Sequence, residues 1–470
     1  MLLRRAYAAL VSFLTVVVMP HFLAPEAYGL AAMSAVLFTL GDMFKDFGLT
    51  SALMRRGTIS QEEVSFLFWF NLLTTFALAV VLAASSPFVA AFFHQPIVAQ
   101  VILLSLTGFV LTGISLQHRT LLSRDLRFTE LAVIDSAAIT LQFATTLVLA
   151  IQGYGVWAIV IGTICNAAVN SLLCVALARW KPGPPRMIDD ARSVFAFGAN
   201  TSIYSLSVFV SVNVMAVLIG RQAGAFHLGQ YNRANALLSL PLNNLVEPLA
   251  QVALPVLARL RPYASAYRDT YLEFLTRLNL AVIPASVFLI AAGRPLVTAA
   301  LGPNWREAGQ LLMLLAPVVA ALGYGYAVSD LFITQDRSRE LRMVGLVESG
   351  MRVLAVYIGI QFGIYIAAVS YAAATVLAVV VRVFVAGRSG PVTILDHLAT
   401  ALPSLPLCAG CLLGCEAGIY LSRQAGLAPM AEASVICAAA ILTALTAGLV
   451  FKTSRAALLS ASEILRPGRA

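Results

Sequence analysis

Charge is what this chain has least of: Asp, Glu, Lys and Arg make up 11% of its 470 residues, against 60% hydrophobic residues. Soluble domains carry about 25% charged residues and are about half apolar. The deficit therefore excludes a soluble globule, because no internal core absorbs that much apolar surface. A phosphate-binding loop, a dinucleotide-binding fingerprint, a nucleophile elbow and zinc-ligand spacing are also missing from the sequence. ATP is thereby excluded as the direct energy source, so active transport by this chain has to run on an ion gradient. The loops on the side expected to face outward are short, which leaves no platform for extracytoplasmic catalytic groups. Neither an enzymatic activity nor a cofactor is expected. The apolar stretch after Arg4 and Arg5 lacks a clean small-residue cleavage site, which argues against a cleaved signal peptide. Of the six cysteines, Cys408, Cys411 and Cys415 share one helical face but have no further metal-ligating partner nearby, and read as small apolar packing groups.

What is present is a succession of apolar runs. Each is about twenty residues long and, at a rise of about 1.5 Å per residue, crosses a hydrocarbon layer of about 30 Å. Hydropathy predicts an all-α membrane protein of about fourteen transmembrane helices. The seventh span is expected at Phe195–Gly220, the eighth at Ala236–Leu257 with Pro241, Pro248 and Pro255 inside it, the ninth at Phe274–Val297 and the tenth at Gly309–Ile333. The formal net charge of +9 raises the question of nucleic acid, and the positions of the basic residues answer it. Counting loops alternately, one side collects Arg4, Arg5, Arg55, Arg56, Arg119, Arg124, Arg127, Arg179, Lys181, Arg337, Arg339, Arg342 and Arg388 among others. The other side has only Arg221, Arg233, Arg294, Arg306 and Arg423. This positive-inside asymmetry places both termini in the cytoplasm of a bacterial inner membrane, and no nucleic-acid partner is needed.

The segment Arg179–Arg192, with Lys181 and prolines after it, is the longest polar break before the C-terminus and reads as a linker. It divides the chain into an N-terminal six-helix bundle (1–180), a cytoplasmic linker (181–192), a C-terminal six-helix bundle (193–388) and an additional helix pair with a cytoplasmic tail (389–470). The halves repeat one another. Ala24–Gly29 corresponds to Gly224–Gly229, Gln152–Trp157 to Gln361–Tyr365, and the basic loop Arg119–Arg127 to Arg337–Arg342. Six is an even number of crossings, so the repeats run parallel, related by an axis along the membrane normal, as in two-bundle transporters.

Polar residues recur at helical spacing in two spans: Asn200, Tyr204, Ser207 and Ser211 in the seventh, and Asn244, Glu247 and Gln251 in the eighth. Facing lipid, such stripes would strand their polar groups, and a charge at the bilayer centre costs about 2.5 to 3.5 kcal/mol. They are expected to turn inward, toward a hydrated cavity; hydrogen bonding between packed helices is the alternative. Glu348 and Arg352 can neutralise one another as an i, i+4 pair, and Asp42, Lys45 and Asp46 can pair within a turn. Asp330 and Arg382 have no partner in their own helices, and pair across helices or snorkel. Glu247, Asp330 and Asp42 are the candidates for carrying a coupling proton or sodium ion. Arg221 and Arg233 flank a short outer loop, where they suit an anionic substrate or serve as interfacial anchors.

Several segments together resemble the polysaccharide flippases of the multidrug/oligosaccharidyl-lipid/polysaccharide exporter superfamily, in the lipopolysaccharide and exopolysaccharide biosynthesis branch. They are Phe44–Leu53 with Arg55 and Arg56, Gln117–Phe128, Gly155–Trp157, Ile219–Arg221, Leu228–Ala234, Leu240–Pro241 and Leu301–Trp305. Relatives commonly start with a longer leader and carry an acidic residue just before the Ile-Gly pair of the seventh helix, where this chain has Met215. The resemblance implies a flippase for a polyprenyl-diphosphate-linked oligosaccharide, working by alternating access, with membrane lipid and polysaccharide assembly proteins as partners. Arg221 and Arg233 would then contact the diphosphate, and Asn200, Tyr204, Ser207, Ser211, Asn244 and Gln251 would line the sugar path. Small-molecule export on the same fold, an integral-membrane glycan polymerase and a non-transporting scaffold are the competing readings.

Overall fold

A computed structural model describes residues 2–46, 60–184, 206, 209–451 and 454–455. Among these residues the regular structure is entirely helical, as a chain in lipid requires: helices satisfy their backbone groups internally where no water is available. Eleven helices are long and apolar enough to cross a membrane, and three shorter apolar stretches lie at Leu10–His21, Phe209–Gln222 and Leu249–Leu260. In chain order we number α1 (Leu2–Val18), α2 (Pro25–Asp46), α3 (Gln61–Phe93), α4 (Ile97–Arg124), α5 (Phe128–Ile151) and α6 (Val156–Ala178). The short stretch Phe209–Gln222 is α7. There follow α8 (Gly224–Pro241), α9 (Glu247–Leu260), α10 (Ala264–Leu301), α11 (Arg306–Leu315), α12 (Pro317–Thr334), α13 (Ser338–Gly359), α14 (Ile364–Ala386), α15 (Ile394–Ala399), α16 (Leu405–Gln424) and α17 (Pro429–Val450).

Three boundaries differ from the hydropathy reading, each for a local reason. The eighth span begins earlier, at Gly224, whose positive φ of 87° ends the preceding helix. It is also interrupted by a π-helical turn, Leu242–Val246, just after Pro241. The ninth extends to 38 residues as α10, because its N-terminal turns add buried Tyr267 and Tyr271 to the core. The tenth is two helices. Pro317 lacks the N–H that would continue α11, and the carbonyl of Ala316 at the break accepts a 2.8 Å hydrogen bond from Ser286 Oγ.

The chain forms two compact units, Met1–Asn232 and Arg233–Ala470. In the first, α4 packs against α3 and α6, and α5 against α6. Residues 180–183, at the start of the expected linker, are strapped to the beginning of α3. Trp180 Nε1 donates to Gln61 Oε1 (2.7 Å), Gln61 Nε2 to the Lys181 carbonyl (3.0 Å), Gly183 N to Ser65 Oγ (2.9 Å) and Trp69 Nε1 to the Gly183 carbonyl (2.8 Å). Linker residues from 185 onward lie outside the described residues. In the second unit, α10 is the spine: α9, α11, α12 and the pair α16–α17 all pack on it. Gly410, Gly414 and Gly418 on α16 lie so close to the Thr443, Ala439 and Ile436 region of α17 that a Cβ at any of them would collide with it. This is the small-residue contact by which helices associate in lipid. Cys411 and Cys415 pack with Ala292, Ile436 and Ala440 in an apolar cluster, consistent with their reading as packing groups.

The repeat is visible inside each unit. After α4, Leu126 takes a left-handed φ of 55°. The next residue, Arg127, then pairs with Glu130 (2.5 Å) and donates to the Leu177 carbonyl at the end of α6 (3.0 Å). After α12, Asp336 takes a φ of 57°, and Arg337 pairs with Glu340 (2.6 Å) and donates to the Val385 and Ala386 carbonyls at the end of α14 (2.8 and 2.9 Å). In both units one arginine ties a tight turn to the open carbonyls of a helix C-terminus. The paired segments Ala24–Gly29 and Gly224–Gly229 meet within the first unit. A Cβ on Gly29 would overlap the Ala225 carbonyl, and a Cβ on Gly229 the Pro25 carbonyl, so the starts of α2 and α8 cross through reciprocal backbone contacts.

Valine at Gly29 or Gly229 is therefore expected to destabilise the detergent-solubilised protein by about 1 to 3 kcal/mol through overpacking. Gly350→Val, at a helical position with open space around it, is expected to leave the thermal midpoint unchanged. Equal midpoints for all three variants would contradict the crossing.

Candidate functional site

Two charge networks tie helices together, one in each unit, and Arg119, expected in a loop, lies within α4 in the first. In the first, Arg119 of α4 grips Asp135 of α5 with two hydrogen bonds (2.8 and 3.1 Å), and Asn170 of α6 donates to the same carboxylate (3.4 Å). In the second, Glu348 of α13 is buried and receives a bidentate contact from Arg382 of α14, with one arm at 2.8 Å. Arg352 approaches the same carboxylate at 3.6 Å. The remaining Arg382 nitrogen donates to the Gly325 carbonyl and to Ser329 Oγ on α12, both at 2.8 Å. Arg382 thus pairs across helices rather than snorkelling. In both units one arginine–carboxylate pair ties three helices: Asp135 takes Arg119 of α4 and Asn170 of α6, whereas in the second unit Arg382 reaches both Glu348 of α13 and the Gly325 and Ser329 groups of α12. Fork-shaped arginine contacts of this kind combine charge with fixed geometry.

The residues singled out from sequence distribute as follows. Arg221, at the end of α7, contacts the His94 ring at the end of α3 and lies over the Phe92 ring at 5.3 Å. Arg233 opens the second unit on α8 and is partly buried. Ser211 is buried on α7 and Gln251 is exposed on α9. Asn244 falls in the π turn and Glu247 at the first position of α9. Asn200, Tyr204 and Ser207 lie outside the described residues. Asp42 pairs with buried Lys45 (2.6 Å), which also donates to Thr112 Oγ1 (2.9 Å) and lies over the Phe109 ring (4.4 Å). Asp330, on α12, has a buried carboxylate oxygen, Oδ2, with no hydrogen-bond partner.

Two buried polar groupings escape hydropathy reasoning. In the first unit, Asn71 and Gln117 are almost fully buried, and Asn71 Oδ1 and Nδ2 and Gln117 Oε1 are without partners. Gly113 abuts Thr75, so one turn further along the antiparallel pair α3–α4 the two amides share a level. The second grouping is a file of polar side chains on one face of α10. Tyr267, Tyr271, Asn279 and Ser286 recur at spacings of four, eight and seven, and all are buried. Tyr267 Oη shares a 2.6 Å hydrogen bond with Thr334 Oγ1, and Asn279 Nδ2 donates to Thr400 Oγ1 (3.0 Å). The fully buried ring of His397, on α15, meets Tyr271 edge to face at 5.5 Å. The available signal was the α10 spacing itself, but Tyr267 and Tyr271 fall before the expected start of the span at Phe274, and His397 sits in a helix of only six residues.

The chain matches the family described as "Polysaccharide biosynthesis protein" over residues 3–310. The teichuronic acid biosynthesis protein TuaB of Bacillus subtilis is 27% identical over 275 residues, which is 58% of this chain and 57% of that protein. The lipopolysaccharide biosynthesis protein WzxC of Escherichia coli is 24% identical over 312 residues, 66% of this chain and 63% of that protein. These matches span less than two thirds of either relative's length. Among solved structures, an inward closed conformation of the lipid II flippase MurJ superposes with a TM-score of 0.78 at 15% identity, covering 96% of this chain and 98% of that one. An inward-facing multidrug resistance MATE family transporter of the MOP superfamily gives 0.65 at 15% identity, covering 85% and 98%. At that identity these likenesses establish the fold.

Glu348→Gln leaves Arg352 and Arg382 without their shared counter-charge. It is expected to cost about 3 to 5 kcal/mol, read as a lowered thermal midpoint and reduced folded protein in the membrane fraction. Combining it with Arg382→Met is expected to restore part of the loss. A single variant as stable as the parent would show that the network does not hold these helices.

Proposed function

Because the chain belongs to the polysaccharide biosynthesis protein family, we propose that it is a flippase that carries a polyprenyl-diphosphate-linked oligosaccharide from the cytoplasmic to the periplasmic leaflet of a bacterial inner membrane. The observation that carries the reading is the family match over residues 3–310 on a chain whose fold follows that of a lipid II flippase over 96% of its length. The relatives' names point to surface polysaccharide as the end product. No chemistry on the cargo is required of the protein, so its role is transport rather than catalysis.

The physics of the task suits such a chain. The sugar head group needs a polar path while the lipid tail stays in hydrocarbon, and alternating access exposes that path to one side at a time. Guanidinium groups bind phosphate oxygens in bidentate fashion. We assign Arg221 and Arg233 to the diphosphate, and Asn200, Tyr204, Ser207, Ser211, Asn244 and Gln251 to the head group. Glu247 and Asp330 are the proposed carriers of the coupling ion. Asp42 is the weakest of the three original candidates for that role, since Lys45 occupies it. The two six-helix bundles (1–180 and 193–388), cytoplasmic termini and contact with polysaccharide assembly proteins complete the proposal. Small-molecule export is the second reading, favoured by the likeness to a multidrug transporter fold.

Deleting the gene is expected to abolish surface polysaccharide without changing drug sensitivity. Complementation with a double variant, Arg221→Gln with Arg233→Gln, is expected to restore membrane-inserted protein but not polymer. Full polymer export by the double variant would remove both arginines from the mechanism. Altered drug sensitivity with intact polymer would favour small-molecule export.

A further inference from the structure

The polar file along α10 ends in groups that nothing in the transport reading uses. Among the described residues, Tyr271 Oη, Asn279 Oδ1 and His397 Nε2 are buried side-chain atoms without a hydrogen-bond partner. Their residues are 0% exposed. Buried polar groups are nearly always satisfied, so three orphans in one neighbourhood point to a partner from outside the protein, water or an ion. The connections around them are tight. Tyr324 Oη donates to the His397 carbonyl (2.9 Å) and lies 3.2 Å from His397 Nδ1. Thr400 Oγ1 donates to the same carbonyl (2.7 Å) and accepts from Asn279 Nδ2. The rings of Tyr271 and Tyr267 lie parallel, with centroids 6.3 Å apart.

These contacts assign the tautomer. The Tyr324 hydroxyl hydrogen is committed to a carbonyl, so at Nδ1 the hydroxyl oxygen accepts and Nδ1 carries the hydrogen. The lone pair of the neutral ring is then on Nε2, the atom without a partner. Neutral polar groups dominate the surroundings: the Tyr271 and Tyr324 hydroxyls, the Asn279 carbonyl oxygen and the Thr400 hydroxyl. The adjacent carboxylate, Asp396, is taken up by Arg268 (3.1 Å, with a second contact at 2.5 Å) and by the backbone N–H of Thr393 (2.9 Å). A hard metal cation favours several free carboxylate or carbonyl oxygens. One free imidazole lone pair with a tyrosine hydroxyl beside it suits a proton.

We propose that His397 is a proton-binding site in the second unit, reached by water along the file Tyr267–Tyr271–His397–Asn279. Nε2 takes a proton from hydronium, releasing water, and the imidazolium returns it to water. From Tyr267 to Asn279 the file rises twelve positions along α10, about 18 Å of helix, more than half of a hydrocarbon layer. The titratable and charged groups on the elements packed around it include Tyr267, Arg268, Asp269, Tyr271, Glu273 and Arg277 on α10, Tyr324, Tyr326 and Asp330 on α12, Arg382 on α14, Asp396 on α15 itself, and Glu247 and Arg259 on α9, which packs on α10 and α12. This inference rests on the transport reading for its purpose, since it makes the proton the coupling ion. Its test is an equilibrium property of the protein without cargo and stands or falls separately from polymer export.

The test is ¹⁵N-imidazole NMR of the full chain in lipid nanodiscs, in a variant with His21, His94, His118 and His227 each replaced by Gln, so that His397 is the one histidine. The Nε2 resonance is expected to pass from the lone-pair to the protonated position as pH falls from about 7 to about 3. Tyr271→Phe is expected to lower the proton affinity about threefold to tenfold, the effect of one hydrogen bond. A resonance that stays in the neutral position throughout that range, in both proteins, would overturn the proposal and make His397 a core histidine. A shift driven by sodium in place of N-methylglucamine at constant pH would overturn it in favour of a metal cation. If the four-histidine variant does not fold, His397→Gln in the otherwise unaltered chain gives the same answer by the disappearance, or not, of one titrating signal.

Discussion

Everything in this structure answers to the absence of water in hydrocarbon: a polar group on a spanning helix has to find its partner inside the protein or line a wet passage. Glu348 illustrates the first solution. It collects Arg382 and Arg352, and Arg382 in turn takes up the Gly325 carbonyl and Ser329 Oγ, so that three helices share one charge-paired centre. In the first unit Arg119, Asp135 and Asn170 tie three helices in a similar way, with Arg119 and Asp135 partly exposed. The groups left unsatisfied, Asp330 Oδ2 and the orphans along α10, are then conspicuous, because they mark where the second solution is needed.

Close backbone approach supplies the rest of the cohesion. Lipid tails are as apolar as leucine, so burying leucine drives little, and contact has to come from packing and hydrogen bonds. The glycine stripe of α16 and the reciprocal Gly29 and Gly229 contacts serve this end. The latter join equivalent positions of the two repeats at the starts of two helices. The arginine clamps at Arg127 and Arg337 hold the opposite kind of place, tying a turn to the end of a neighbouring helix in each unit.

Much of the architecture was legible in the sequence because hydropathy and charge position act along one dimension. Runs such as Val156–Ala178 and Ile364–Ala386 announce themselves, and the repeat was visible in the matching Ala24–Gly29 and Gly224–Gly229 segments. The break at Pro317 and the π turn after Pro241 were not foreseen as boundaries, since a proline in a spanning helix is often absorbed. Partners across helices were out of reach for the same reason that Arg382 had two open readings: its counter-charge lies 34 positions away, on a neighbouring helix. Site residues fared unevenly. Asp330 stood out as an ionisable group in an apolar run. Tyr271 and Asn279 did not: Tyr271 falls before the expected start of its span at Phe274, and a single asparagine in a hydrophobic stretch carries no sign of whether it is satisfied until its neighbours are known.

The proposed function answers to the same constraint. A sugar diphosphate cannot cross hydrocarbon unaided, so a flippase has to offer it a polar path. The measurement that bears most directly on this is the leaflet in which lipid-linked repeat units collect when the gene is deleted and polymer is lost. Accumulation on the cytoplasmic leaflet is the result expected of a missing flippase. Accumulation of single repeat units on the outer leaflet would contradict it, since the cargo would have crossed without this protein, and would point to polymerisation as the missing step.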